Sequence, residues 1–238
     1  MTDAQISDLT AAALLLGAGL ALGLLGRRSF DLRWLLVAVA LVVFNNLLLS
    51  RGYGLMPDWV AGERNWTGKA LALAGTLAIA SLPVFGWRRV GLTLAQRAGS
   101  LRSAIPVALL YCGFFLAIAL AFPSDPPSGE EVAFQLTMPG LEEEPFYRGI
   151  LLFAFDQAFR GRVRFLGVDW GWGAILSCLA FGLTHSFGYS DGAFAFDPLV
   201  MALTAIPSFI AVWLRYRTGS LALPVLLHNF GNAIGLLV

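Results

Sequence analysis

Long apolar segments alternate with short polar segments along almost the whole chain. Eight segments are apolar and long enough, or nearly so, to cross a bilayer, since a membrane helix needs roughly 20 mainly apolar residues. The second is short, and the fifth and sixth contain polar residues. They cover residues 9–26, 34–49, 69–87, 104–122, 132–157, 171–188, 197–214 and 220–238. The pattern predicts an all-α, polytopic bundle of about eight transmembrane helices with an intramembrane polar site.

The connections between these segments are too short to separate two domains, and no internal repeat is visible. We therefore expect a single transmembrane domain over residues 1–238. Residues 1–122 would supply four N-terminal helices, and residues 132–238 would supply the helices that carry the chemistry. A cleaved signal peptide begins with basic residues, whereas Asp3 and Asp8 precede the first apolar segment here. We therefore expect that segment to be a retained span.

The composition supports a lipid environment. Hydrophobic residues make up 58% of the chain and charged residues 13%. A soluble domain has about 45–50% hydrophobic and about 25% charged residues. The excess apolar surface requires lipid as its solvent. The formal net charge is only +1, which argues against a nucleic acid partner.

The distribution of basic residues along the connecting loops predicts an orientation. The odd-numbered loops carry 12 lysines and arginines, and the even-numbered loops carry three. The positive-inside rule then places the odd loops in the cytoplasm and both termini outside. Tryptophans, which favour the membrane interface, lie near predicted span ends. One alternative stays open, in which one of the first two segments lies along the interface instead of crossing it.

The fifth apolar segment contains three consecutive glutamates, at positions 142, 143 and 144. Charges inside a membrane span are costly and usually functional. Because Pro139 and Gly140 interrupt any preceding helix, we expect a helix to restart near Leu141, with the glutamates at its N-terminus. The positive end of the helix dipole would stabilise their charged form. The alternative is that these acids lie in an outer loop and are solvated.

The spacing within this segment separates two roles. Glu144 and Arg148 are four residues apart, so they share one helical face and can form an ion pair. Glu143 points about 100° away from Glu144 and can face a cavity. A carboxylate in such a low-dielectric cleft suits a general base or acid.

Both histidines of the chain lie in late apolar segments. His228 and Asn232 are four apart on one helical face, and Phe181 and His185 have the same relation. A lone histidine on an apolar face is usually a core residue. Because an unpaired buried polar group costs about 1–3 kcal/mol, we expect these groups to meet the glutamates.

Together these groups predict a hydrolytic site. A glutamate and a histidine can hold and deprotonate water, and a second histidine with an asparagine amide can stabilise a developing oxyanion. No serine or cysteine is placed as an evident nucleophile. Ser186, next to His185, is the nearest candidate.

At these positions the sequence resembles the CPBP family, which comprises CAAX prenyl proteases and bacteriocin-processing or immunity proteins and is also called the Abi family. The family signature is a Glu-Glu-x-x-x-Arg motif, a Phe-x-x-x-His motif and a His-x-x-x-Asn motif, in that order. This chain matches it at residues 143–148, 181–185 and 228–232. The first four segments add only their membrane character.

The resemblance implies catalytic roles for four residues. Glu143 is the base that activates water, and His185 is its partner. His228 and Asn232 stabilise the tetrahedral oxyanion.

The resemblance also implies supporting roles. Glu144 and Arg148 orient the site, and Glu144 also lies near the water. Phe181 packs against the site. Glu142 lies outside the motif, because the spacing to Arg148 fixes the register.

The family is often described as metalloproteases, which leaves zinc open as a cofactor. Glu143, His185 and His228 would supply three ligands and water the fourth. However, the chain has no His-Glu-x-x-His helix, and a glutamate–histidine pair can activate water without a metal. We therefore expect a site without a metal or other cofactor.

The resulting hypothesis is an intramembrane endopeptidase of the CAAX-protease type, in the cell membrane of a bacterium or archaeon. Its partners would be the lipid bilayer and a peptide or membrane-protein substrate, whether a prenylated CAAX tail, a leader peptide or another protein. A non-catalytic membrane scaffold or immunity protein of the same family is the first alternative. A transporter or proton channel is the second, since intramembrane ionisable residues can relay ions.

Overall fold

The computed structural model describes residues 1–26 and 29–238. Arg27 and Arg28, two of the basic residues counted in the first loop, lie outside the described residues. The helices are α1 (Asp3–Leu25), α2 (Leu32–Leu49), α3 (Arg51–Gly54), α4 (Trp66–Ala80), α5 (Leu101–Ala121), α6 (Gly129–Gln135), α7 (Met138–Glu143), a π-helical segment (Glu144–Leu151), α8 (Leu152–Ala158), α9 (Trp172–Ser186), α10 (Pro198–Thr218) and α11 (Ala222–Leu237). The predicted all-α bundle is confirmed.

Two small antiparallel hairpins interrupt the helices. Strands β1 (Val163–Phe165) and β2 (Val168–Trp170) precede α9, and β3 (Phe187–Ser190) and β4 (Ala193–Phe196) connect α9 to α10. The second hairpin turns at Asp191 and Gly192, both with positive φ, as a two-residue turn between twisted strands requires. The hairpin pattern was not predicted from the sequence.

Among the described residues, four helices are long and apolar enough to cross a membrane, namely α1, α2, α5 and α10. The other predicted spans correspond to shorter helices. The third ends at Ala80 instead of residue 87, because Pro83 and Gly86, the latter with a φ of 73°, follow in a run of turns. The predicted number of eight is therefore approximate. Leu109, Leu110, Leu199 and Ile206 of α5 and α10 are each at least 65% exposed, so these faces require lipid.

The fifth predicted span consists of four consecutive helical pieces, α6, α7, the π-helical segment and α8. The helix restarts at Met138, not near Leu141, because Pro139 fits in the first turn of a helix, where its missing N–H is not needed. Because the helical backbone continues from α7 through the π-helical segment into α8, the glutamates lie in the second turn after the restart and not in its first turn. The expected stabilisation by the helix dipole is correspondingly smaller, since it falls off within the first turn.

Pro145 lies at the second position of the π-helical segment. A proline inside an α-helix lacks an N–H and its ring meets the carbonyl four residues earlier. The wider π-helical turn accommodates it, and such turns are frequent at functional sites.

The main apolar core lies among α1, α2, α8, α9 and the π-helical segment. Leu35, Ile150, Phe155 and Leu176 are fully buried there. Helices α9 and α10 approach closely at Gly182, where an added Cβ would lie 3.0 Å from Ala205 Cβ. Ser177 of α9 and Ser208 of α10 each form a hydrogen bond with the π-helical segment, which holds both helices against the glutamates.

Candidate active site

The three consecutive glutamates are buried within the bundle. The exposed fractions of Glu142, Glu143 and Glu144 are 0%, 8% and 1%. The alternative that they are solvated in an outer loop is therefore wrong. Three carboxylates at such depth need positive partners or protons, and the surrounding helices supply the partners.

Glu143 lies between a lysine and both histidines. Its Oε1 forms an ion pair with Lys69 of α4. Its Oε2 lies 3.5 Å from His228 Nε2 and 3.9 Å from His185 Nε2. In the described part of the chain no group donates a hydrogen bond to Oε2, so the two imidazole rings are its nearest polar neighbours.

The far side of each imidazole ring fixes its tautomer. His185 Nδ1 lies 2.8 Å from the backbone oxygen of Phe181, and His228 Nδ1 lies 2.7 Å from Glu144 Oε1. Because both partners are acceptors, both Nδ1 atoms carry a proton. On the other side of each ring, Nε2 faces Glu143.

Arg148 is almost fully buried beneath the glutamates, with 2% of its surface exposed. The predicted ion pair with Glu144 is present, at 3.4 Å between Arg148 Nε and Glu144 Oε2. Arg148 Nη2 donates to Ser208 Oγ at 2.7 Å, and the guanidinium lies 4.1 Å from the centre of the Phe181 ring. Arg148 therefore compensates the charge of Glu144 and packs on the residue predicted to support the site.

A cavity of about 360 Å³ opens beside these groups, between α5, α7, α10 and α11. Glu143, His185 and His228 line it together with Asn232. Asn232 Nδ2 donates to Gln135 Oε1 at 3.2 Å and makes no hydrogen bond to the other predicted site residues. Part of the wall is apolar and aromatic, formed by Tyr111, Phe115, Phe134, Leu203 and Ile210.

The candidate nucleophile Ser186 is placed differently. Its hydroxyl donates to the backbone oxygen of Gly182 at 2.8 Å and lies 3.4 Å from Met201 Sδ. These contacts hold the hydroxyl within its own helix, and nothing in the geometry activates it.

Lys69 and its neighbours were missed by the sequence reasoning. Lys69 was one of the three basic residues assigned to the even-numbered loops, but it lies in α4. Its Nζ donates to Glu142 Oε2 at 2.7 Å and also to Glu143. Glu142 Oε1 in turn accepts from Asn45 Nδ2 of α2 at 3.4 Å. A lysine and an asparagine in apolar segments were the available signals.

Asn229, next to His228, was also missed. Its Oδ1 accepts from the backbone N–H of Gly140 at 2.7 Å, and its Nδ2 donates to the backbone oxygen of Thr137 at 3.1 Å. An added Cβ at Gly140 would collide with this side chain and with the Val225 carbonyl. Asn229 thus joins α11 to the start of α7 and sets the distance between His228 and the glutamates.

The candidate zinc ligands Glu143, His185 and His228 are spaced as neighbours of one another, and Glu143 is also paired with Lys69. Across residues 1–26 and 29–238, no three His, Cys, Asp or Glu side chains are grouped to hold a metal ion. A divalent cation bound at Glu143 would be repelled by the charge of the Lys69 ammonium.

The fold and this buried cluster of carboxylates and imidazoles define a multi-pass membrane protein with an intramembrane polar site. The model of the type II CAAX prenyl endopeptidase Rce1-like family matches residues 126–234. A curated Escherichia coli protein described as "Uncharacterized 24.3 kDa protein" is 33% identical over 173 residues, which cover 67% of this chain and 70% of that protein. No solved structure matches. The chain belongs to the Rce1-like CAAX protease family, as the resemblance to the CPBP family implies.

Proposed function

We propose that this protein is an intramembrane endopeptidase in which Glu143 and the two histidines activate water. The observation that carries the proposal is the convergence of Glu143 Oε2, His185 Nε2 and His228 Nε2 on one cavity. Family membership supports a protease at the level of the class. The proposed substrate is a peptide or membrane protein whose cleavage site reaches this cavity.

In the proposed reaction, Glu143 accepts a proton from water, with His185 holding the water beside it. The hydroxide attacks the carbonyl carbon of the scissile peptide bond and forms a tetrahedral oxyanion. Glu143 then passes the proton to the leaving nitrogen, and the C–N bond breaks.

The contact between His228 and Glu144 suits the oxyanion role. A carboxylate 2.7 Å from Nδ1 stabilises the protonated imidazole, whose Nε2–H can then donate to the oxyanion. The Asn232 amide on the same wall would supply a second donor. Arg148 lies beside Glu144 and compensates its charge.

Lys69 would keep Glu143 ready as a base. A positive charge in contact with a buried carboxylate favours the ionised form. We therefore assign Lys69 to positioning the carboxylate and stabilising its charge, not to contact with the substrate.

The test is cleavage of a fluorogenic prenylated CAAX-type peptide by the purified protein in detergent. Wild type and His228→Ala would be compared, each with and without a strong chelator, alongside the same peptide without its prenyl group. We expect cleavage by wild type that the chelator leaves unchanged, and a loss of about 10²–10³-fold in kcat for His228→Ala.

Other outcomes of this test discriminate between the alternatives. Loss of activity with the chelator and recovery with zinc would overturn the metal-free proposal. Binding of the peptides without cleavage of either would favour a non-catalytic scaffold. Cleavage of both peptides at the same rate would show that the prenyl group does not contribute to substrate recognition.

Substitution of Lys69 should reduce the rate without abolishing it. In Lys69→Met, Glu142 and Glu143 lose their shared cation, so Glu143 is no longer held in place beside the two histidines. We expect kcat to fall by about 10–100-fold with little change in KM. Steady-state kinetics would measure this, with Lys69→Arg as the charge-preserving control. An unchanged kcat in Lys69→Met would contradict the proposed role.

A further inference from the structure

A second cavity lies where α10 ends and α11 begins, separate from the glutamate site. The connection between α4 and α5 folds against this corner. Arg97 N–H donates to the Thr218 carbonyl at 2.7 Å, and Leu221 N–H donates to the Gly91 carbonyl at 2.9 Å. Ser208, which contacts Arg148, and Arg215 are seven residues apart on α10, a rise of about 10 Å. The cavity is therefore built by ordered backbone at one end of the bundle.

Four arginines line this cavity, which has a volume of about 380 Å³. They are Arg88, Arg89, Arg97 and Arg215. No acidic residue is among the lining residues that the structure describes. Four guanidinium groups around one cavity repel each other unless an anion lies between them. We call this cavity the arginine pocket.

Backbone carbonyls orient the guanidinium groups of Arg215 and Arg97. Arg215 Nη2 donates to the Arg89 carbonyl at 2.6 Å, and Arg97 Nη1 donates to the Tyr216 carbonyl at 2.7 Å. Arg215 Nε is buried against Gly91, at which an added Cβ would collide with it. The guanidinium of Arg215 is therefore fixed at the wall of the pocket. Asp156, the acid that acts on the charge of Arg215, is itself paired with Arg162.

The donor set matches a phosphate group. A guanidinium presents a planar fork of N–H groups that pairs two at a time with phosphate oxygens. Several such forks around one cavity can bind a tetrahedral anion from different sides.

The surroundings point to a lipid as the source of the phosphate. The exposed side chains of Leu82, Val84, Trp87 and Leu94 are apolar and lie in the same connection, and Leu94 is 86% exposed. The candidate spans α5 and α10 begin and end beside it. Apolar side chains next to arginines at the end of spans are typical of a surface in contact with lipid headgroups.

We infer that the arginine pocket binds a phosphate group, supplied by the headgroup of an anionic phospholipid. The inference is independent of the proposed protease activity. Lipid bound there would hold the connection between α4 and α5 against the corner of α10 and α11.

The test is native mass spectrometry of the full-length protein in detergent, titrated with phosphatidylglycerol or with zwitterionic phosphatidylcholine. Arg88→Gln and the double variant Arg88→Gln/Arg89→Gln remove exposed charges from the pocket. Arg102→Gln is the matched control, since Arg102 is an exposed arginine nearby that does not line it. We expect phosphatidylglycerol binding to weaken about fivefold per removed arginine, with no change for Arg102→Gln.

A parallel arm adds inorganic phosphate as a competitor. Displacement of phosphatidylglycerol only at high phosphate concentrations supports a lipid as the source of the phosphate group. Tight binding of inorganic phosphate alone would instead assign the pocket to a soluble phosphate and overturn the proposal of a lipid ligand. Equal phosphatidylglycerol binding by wild type and both pocket variants would overturn the site. The melting temperature of each variant verifies folding.

Discussion

Glu143→Gln is expected to lower kcat for peptide cleavage by about 10²–10⁴-fold, the range that a general base contributes. The amide has the size of the carboxylate, so the cavity keeps its shape. It cannot, however, accept the proton of the attacking water. Steady-state kinetics with the fluorogenic peptide measure the effect, and KM should change little because Glu143 acts on water and not on the substrate ground state.

The matched control for this substitution is Glu142→Gln. It removes one negative charge from the same buried cluster, one residue earlier, where the carboxylate contacts Lys69 and Asn45 and not the histidines. We expect a loss of less than about tenfold. If Glu142→Gln were the more damaging of the two, the register of the Glu-Glu-x-x-x-Arg motif would be wrong and Glu142 would be the base.

Residues related by helical spacing were predictable from the sequence. The four-residue separation of Glu144 and Arg148 implied their ion pair, and that pair is present. The separation of Phe181 and His185 placed both on the face of α9 that meets the cluster. In these cases the helix period alone decides which side chains are neighbours.

Contacts between distant segments were not predictable in the same way. Lys69 lies 73 residues before Glu142, and Asn45 lies 97 residues before it. No periodicity connects α2 or α4 to α7. Their placement follows from packing of α2 and α4 against the segment that carries the glutamates, and the matched region of residues 126–234 includes neither helix.

The helix boundaries around the glutamates depended on local geometry that residue types alone do not specify. Pro139 suggested an interruption, but it begins α7, and Pro145 is absorbed by a π-helical turn. Likewise, hydropathy located the apolar segments but not the lengths of their helices. The orientation of the termini stays a prediction from the positive-inside rule.

Arg148→Met is expected to be the most destabilising single substitution at the site. It leaves Glu144 buried without its cation and removes the bond to Ser208. Loss of one partner from a buried ion pair costs about 3–5 kcal/mol. For a chain of this size the melting temperature should fall by roughly 6–20 °C, measured by thermal unfolding in detergent.

Arg160→Met is the matched control for this effect. Arg160 also pairs with a carboxylate at 3.4 Å, that of Asp31, but its side chain is 65% exposed. An exposed pair contributes about 0–1 kcal/mol, so the melting temperature should barely change. A further Glu144→Gln substitution in the Arg148→Met protein should recover part of the lost stability, because no unpaired charge is then buried. Stability that falls further in this double variant would show that Arg148 acts through packing on Phe181, and not by compensating the charge of Glu144.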